Sequence, residues 1–202
     1  MTENFGLAAF RYANEPHIRR HGPNGYSDYK SFKQWLRDEF GFRCVFCLVR
    51  ERWCHDGSHG FGVDHLVPKS LQPDLDCSYD NLIYLCNSSK RISPAIDPCK
   101  SAISTHIRFE EDGTAVALTR EGRHVINALN LNYLLSKEYR RRKISSLSHW
   151  HDNGDVWSIA QDLAYPDDLP ELDGCRCNNV RPGGIENSYY EQRRRNELPD
   201  TY

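Results

Sequence analysis

The sequence predicts an α+β fold of short strands and helices, and three stretches of its 202 residues carry that expectation. Residues 27–40, SDYKSFKQWLRDEF, repeat large apolar side chains at helical spacing. Residues 42–64 hold two aromatic and β-branched runs split by the polar HDGSHG, and 105–119, THIRFEEDGTAVALT, alternate about Asp112-Gly113.

Taken in order, Phe32, Trp35, Leu36 and Phe40 define the apolar face of the first helix, with Ser27 or Asp28 as its cap and Gly41 as its stop. The two runs of 42–64 read as a β-hairpin whose second strand ends near Asp64. A loop rich in Pro, Asp and Ser covers 68–80. YDNLIYLCNSSKR then reads as a helix entered at Asp80 or Asn81 and closed before Pro94, giving the order strand, strand, helix. Asp112-Gly113 marks a second hairpin. Residues 121–150 read as a long helical stretch interrupted near Asn130-Leu131-Asn132. From about 165 onward the Pro, Gly, Asn and charged residues show little periodicity, which predicts an extended, partner-bound or partly disordered tail. The expected segments are therefore 1–41, N-terminal and helical; 42–100, the central module; 101–165, an accessory hairpin and helices; and 166–202, the tail.

A net charge of −2 gives no bulk attraction to nucleic acid, so any such binding must come from local basic groups. No run approaches the roughly 18 apolar residues a membrane helix needs, and the N-terminal stretch lacks a basic-then-apolar leader pattern, so the expected location is cytoplasmic, with no membrane partner. In that setting the eight cysteines read as reduced thiols or metal ligands rather than as a disulfide framework.

Cys44-Val-Phe-Cys47 has the two-residue separation that turns both thiolates toward one tetrahedral zinc. Cys86 is the expected third ligand; Cys54, Cys77, Cys99, His55 and His59 compete for the fourth place. Gly62-Val-Asp-His-Leu-Val-Pro-Lys-Ser70 sets a carboxylate beside an imidazole on opposite sides of an extended chain. Asp64 offers oxygen to a hard cation such as Mg²⁺, and His65 offers an imidazole, the side chain whose unperturbed pKa lies near neutrality. That division suits hydrolysis of a phosphate ester, in which the imidazole removes a proton from the attacking water. Cations near the motif that could hold a nucleic-acid backbone are Arg43, Arg50, Arg52, Lys69, Lys90 and the run Arg140-Arg141-Arg142-Lys143. A basic run is as often a solvated helix face.

CVFC, VDHLVPKS, YDNLIYLCNSSK and IDPC together resemble the HNH endonuclease family, a ββα-metal nuclease motif, over about 44–99. The flanks WLRDEFGFRC and FEEDGTAVALTREGRHVINALNLN extend the similarity to one bacterial group of HNH proteins, over roughly 27–135. The resemblance implies a divalent-metal-dependent endonuclease that hydrolyses DNA phosphodiester bonds with Mg²⁺ or Mn²⁺. It assigns Asp64 to the cation, His65 to the general base and Asn81 to the loop that orients the base. Where zinc-bearing members read N-L-x-x-x-C-x-x-C-N-x-x-K, this chain reads Asn81-Leu-Ile-Tyr-Leu-Cys86-Asn87-Ser-Ser-Lys90. Without a gap, Ser89 replaces the second cysteine and Lys90 the metal-binding asparagine. With three residues missing, Cys86-Asn87-Ser-Ser-Lys90 matches, the spacing onward to Asp97-Pro98-Cys99 falls into place and Asn87 becomes the second Mg²⁺ ligand, but only three obvious cysteines remain for zinc; Cys99, the cysteine nearest the helix's end, is the expected fourth ligand. The gapped alignment is preferred because it accounts for more residues. Lys69, Lys90 and Arg43 are the expected DNA contacts. The group resembled includes bacterial anti-phage effectors, some paired with an ATPase, so the resemblance implies such a role and partner. The rival expectation is a non-catalytic nucleic-acid or protein-binding module on a degenerate scaffold.

Overall fold

A computed structural model describes residues 4–87, 96–175, 178–181 and 183–202. Along the chain the elements are α1 (Phe5–Ala8), β1 (Pro23–Asn24), α2 (Lys33–Glu39), β2 (Phe61–His65), β3 (Leu82–Cys86), β4 (Ile107–Phe109), β5 (Ala115–Ala117), α3 (Arg120–Ala128), α4 (Leu134–Asp152), α5 (Val156–Leu163), β6 (Asn178–Asn179) and α6 (Tyr189–Arg194), joined by short 3-10 turns. The fold is α+β, and its described strands pair as three small antiparallel sheets, β1 with β6, β2 with β3 and β4 with β5. No helix among the described residues is long and apolar enough to cross a membrane. Two compact units divide the chain. One draws on Met1–His17, Phe46–Val49 and Ser88–Leu163, the other on Ile18–Val45, Arg50–Asn87 and Ala164–Tyr202.

In the first unit α1 lies on α4 through a close approach at Gly6. A Cβ there would meet the Ile144 carbonyl oxygen at 2.0 Å, and the Gly6 N–H donates to Ser148 Oγ at 3.1 Å. The expected hairpin is β4–β5. Gly113 turns it at φ +80, and Asp112 Oδ1 accepts from Thr114 N at 2.9 Å. Thr119 caps α3 by accepting from Gly122 N at 3.1 Å. The interruption expected near Asn130 is the break between α3 and α4, where Asn130 takes φ +50. Within the basic run, Arg140 is buried and donates to the Gly113 carbonyl at 2.8 Å, with its guanidinium 4.7 Å from the Phe109 ring centroid. Arg141 and Arg142 pair with Glu138 at 2.7 and 2.8 Å, and Lys143 with Asp162 at 2.5 Å. The run thus serves packing and local ion pairs.

The second unit is built around β2–β3 and α2. Asp28 caps a 3-10 turn over Tyr29–Phe32 that runs straight into α2, which buries Trp35 and Leu36. Gly41 (φ +60) stops it, and Phe42 follows at φ +57. Two expectations change here. Residues 42–50 form a turn with an isolated bridge between Arg43 and Arg50, and Glu51–Trp53 a 3-10 turn, rather than a strand, because Phe42 and Leu48 (φ +59) both take the left-handed conformation, which ends an extended run. Residues 82–86, read as a helix, are instead the strand paired with β2, in the register Phe61↔Cys86, Val63↔Tyr84 and His65↔Leu82. All five LIYLC side chains are buried, so the run shows neither helical nor alternating polarity, and only the ladder decides it. The continuation of the expected helix, residues 88–95 with Lys90, lies outside the described residues.

From about 165 onward, where an extended, partly disordered or partner-bound tail is expected, several described residues pack instead. Tyr165 and Leu169 are buried with Phe42, and Tyr189, Tyr190, Leu198 and Tyr202 pack against them. The Arg50 guanidinium lies 4.2 Å from the Tyr202 ring centroid. The buried ions Arg37 and Glu51 are paired, which offsets their desolvation. Arg37 grips Glu51 with two nitrogens at 3.0 and 2.8 Å, and Tyr84 Oη donates to Glu51 at 2.7 Å. These contacts fix the helix, the turn and the middle of β3 together.

Candidate functional site

At one end of the β2–β3 ladder, Cys86 closes β3 opposite Phe61. The turn carrying Cys44 and Cys47 is anchored by Val45 N donating to the Tyr84 carbonyl at 3.1 Å. The sulfurs of Cys44, Cys47 and Cys86 lie within 4.8 Å of one another and all three residues are buried. Thiolates on one tetrahedral zinc sit about 3.8 Å apart, from bonds of roughly 2.3 Å, so three of four positions of a zinc shell are in reach of one ion. A buried, all-sulfur donor set suits a soft cation. The three-sulfur group does not include Cys99, which is half-buried and whose N–H donates to Asp97 Oδ1 at 2.9 Å. Cys54 is also half-buried, and its thiol pKa is pushed up to about 11, first by burial and then by Cys44, Glu51 and Asp56. His55 and His59 are exposed.

At the other end, Asp64 faces Ile83 and His65 faces Leu82, and as neighbours in a strand they project to opposite faces. Asp64 Oδ1 accepts from His65 N at 2.8 Å. The imidazole is 11 % exposed and lies 4.7 Å, centroid to centroid, from the Tyr29 ring. Its Nε2 is 3.0 Å from the Asp76 carbonyl oxygen. A carbonyl only accepts, so Nε2 carries the proton and Nδ1 keeps the lone pair. Asp76 Oδ1 stands 3.2 Å from the same nitrogen, and Asp76 Oδ2 pairs with Lys69 Nζ at 2.7 Å. The Lys69 hydrogen bond, ahead of other contributions, holds the Asp76 carboxyl below its ordinary range, and Asp76 in turn raises Lys69.

Asn81 governs the loop that supplies these groups. It is buried, and its amide pairs in both directions with Val67, accepting from N at 2.8 Å and donating to O at 3.0 Å. It also donates to the Leu75 carbonyl at 3.2 Å, while its own carbonyl accepts from Leu66 N at 2.8 Å. One side chain thereby ties the start of the loop after His65 to its return.

The structure does not bring Asn87 to this end. Asn87 is exposed and its amide donates to the His59 carbonyl at 3.1 Å. It follows Ile83, the residue facing Asp64, by four positions, about 13 Å of extended chain. Sharing a cation with Asp64, as the gapped alignment required, is excluded by that register. Among the expected DNA contacts, Lys69 pairs with Asp76, the residue that also meets His65, Arg43 is half-buried in the cysteine turn, and Lys90 lies outside the described residues. Tyr29 and Asp76 were not singled out by sequence. Asp76 stands among Asp74 and Asp80 in a polar loop, and no spacing distinguishes it.

No protein-family model and no curated protein matches the chain.

Proposed function

We propose that the chain is a divalent-metal-dependent endonuclease of HNH type acting on DNA. The observation that carries this reading is His65 at a strand end beside Asp64, its Nε2 on a main-chain carbonyl of a loop tied down by Asn81. That arrangement leaves Nδ1 as the base.

The residues present fit a Mg²⁺ or Mn²⁺ ion. Asp64 is half-buried and its second oxygen has no hydrogen bond among the described residues. Mg²⁺ retains several waters and asks of a protein one or two carboxylates beside substrate phosphates. Asp64 would hold it, and it would offset charge on the scissile phosphate and the departing oxygen. His65 Nδ1 takes a proton from water as that water's oxygen bonds to phosphorus; the P–O3′ bond breaks in line and the 3′ oxygen takes a proton from solvent. The products carry 5′-phosphate and 3′-hydroxyl ends. Lys69 holds the strand through a phosphate without reading bases. Zinc on Cys44, Cys47 and Cys86 is structural, and the resemblance adds anti-phage defence with an ATPase partner.

Purified chain is expected to nick plasmid DNA with Mg²⁺ or Mn²⁺ and to stop with EDTA. Cutting by His65→Ala at the wild-type rate, in protein cleared of contaminating nuclease, would overturn the assignment. A non-catalytic nucleic-acid-binding module is the second reading, favoured by the placement of Asn87 away from Asp64. DNA binding by wild-type chain that never cuts under either metal would establish it.

A further inference from the structure

Asp76 presents two acceptors to one proton. His65 Nε2 has its carbonyl oxygen at 3.0 Å and its Oδ1 at 3.2 Å, and a neutral ring has a single N–H to give on that side. The carbonyl takes it. Oδ1 is left as a buried carboxylate oxygen with no well-aligned hydrogen bond among the described residues, a state that ordinarily costs stability. The other oxygen, Oδ2, is held by Lys69, whose side chain is 62 % exposed and open to an incoming phosphate. An exposed ion pair of this kind is weak enough to be exchanged for another anion. The backbone around it is not free to follow, because Asn81 fastens the loop at Val67 and Leu75.

We propose that Lys69 is handed from Asp76 to a phosphodiester oxygen when nucleic acid binds, and that the released carboxylate turns its unsatisfied oxygen onto His65 Nε2. Asp76 is then a positioning residue. Its grip on the imidazole tightens only when a strand is in place, so the base is aimed by the substrate's own charge. The idea deepens the endonuclease reading and rests on it for its catalytic half. The hand-over of Lys69 itself needs only a bound nucleic acid.

The full chain and a short DNA duplex test it in two ways: affinity in EDTA, and cleavage in Mg²⁺. Asp76→Asn frees Lys69, so it is expected to tighten binding about two- to fivefold, the scale of an exposed ion pair. The same change is expected to lower kcat about tenfold or more without raising KM, since misorienting a catalytic histidine has an effect of that order. Asp76→Glu, which keeps the carboxylate, restores part of kcat. In a Lys69→Gln background the tightening by Asp76→Asn disappears. Equal tightening with and without Lys69 would reduce Asp76 to a general repulsive charge and overturn the hand-over. So would an Asp76→Asn protein of wild-type thermal stability that binds no more tightly than wild type. Wild-type chain that never cuts DNA removes the function proposed above, and the binding arm then decides the hand-over by itself.

Discussion

The two ends of one five-residue ladder do opposite things with their side chains. At the Phe61–Cys86 end three buried sulfurs gather within 4.8 Å of one another. At the His65–Leu82 end the side chains are an imidazole, carboxylates and an ammonium, part-exposed, with the imidazole on a main-chain carbonyl and the ammonium on a carboxylate. Burial decides the contrast. Thiols gathered away from water give a soft ion a dry place from which it does not exchange, whereas a base must keep one nitrogen toward water. The difference predicts that one end governs stability and the other governs rate.

The largest expected effect tests the sulfur end. Freshly reduced chain should carry one zinc, and Cys86→Ala should lose both the metal and cooperative thermal unfolding, since structural zinc contributes on the order of 10 kcal/mol to small folds. Metal analysis that finds no zinc would erase the contrast. Next in size, His65→Ala should slow cleavage about 100- to 10,000-fold while its melting curve stays near wild type. A large loss of stability there would show that the histidine belongs to the scaffold. Third, Asn81→Ala should act on both axes, lowering stability by about 2 kcal/mol through the buried loop groups it strands and cleavage along with it. Circular dichroism melts and single-turnover cutting measure the two separately. The smallest effect is expected at Asn87, where Ala should change stability by less than about 0.5 kcal/mol and leave cutting intact. Strong loss of cutting by Asn87→Ala would mean that the chain rearranges before it acts.

These outcomes also mark what the sequence made legible. Cys44-Val-Phe-Cys47 and Asp64-His65 could be read because their chemistry is local, with spacing and neighbour identity enough to define them. Asn81 was reached through resemblance alone, since nothing about an asparagine before a leucine announces a main-chain clamp. LIYLC resisted because a strand buried on both faces hides its period, and only the ladder register shows Asn87 beyond the end opposite to Asp64. The turn at 42–50 resisted for a different reason: Phe42 and Leu48 take positive φ without being glycine. The cluster of Tyr165, Tyr189 and Tyr202 at Phe42 draws on irregular sequence positions, which no periodicity reveals. Asp76 belongs with these. Its partners, Lys69 and His65, are near in sequence, but only the folded loop selects it over Asp74.

The clamp made by Asn81 has a consequence for how such a chain can change over generations. Because it grips Val67 and Leu75, the segment between them is closed at its base, and its tip, where Leu71 is 73 % exposed, is mechanically insulated from the imidazole. Lengthening a closed loop is inexpensive, about 0.6 kcal/mol for each doubling. Residues 70–73 are therefore a place where insertions can accumulate without moving the His65 imidazole.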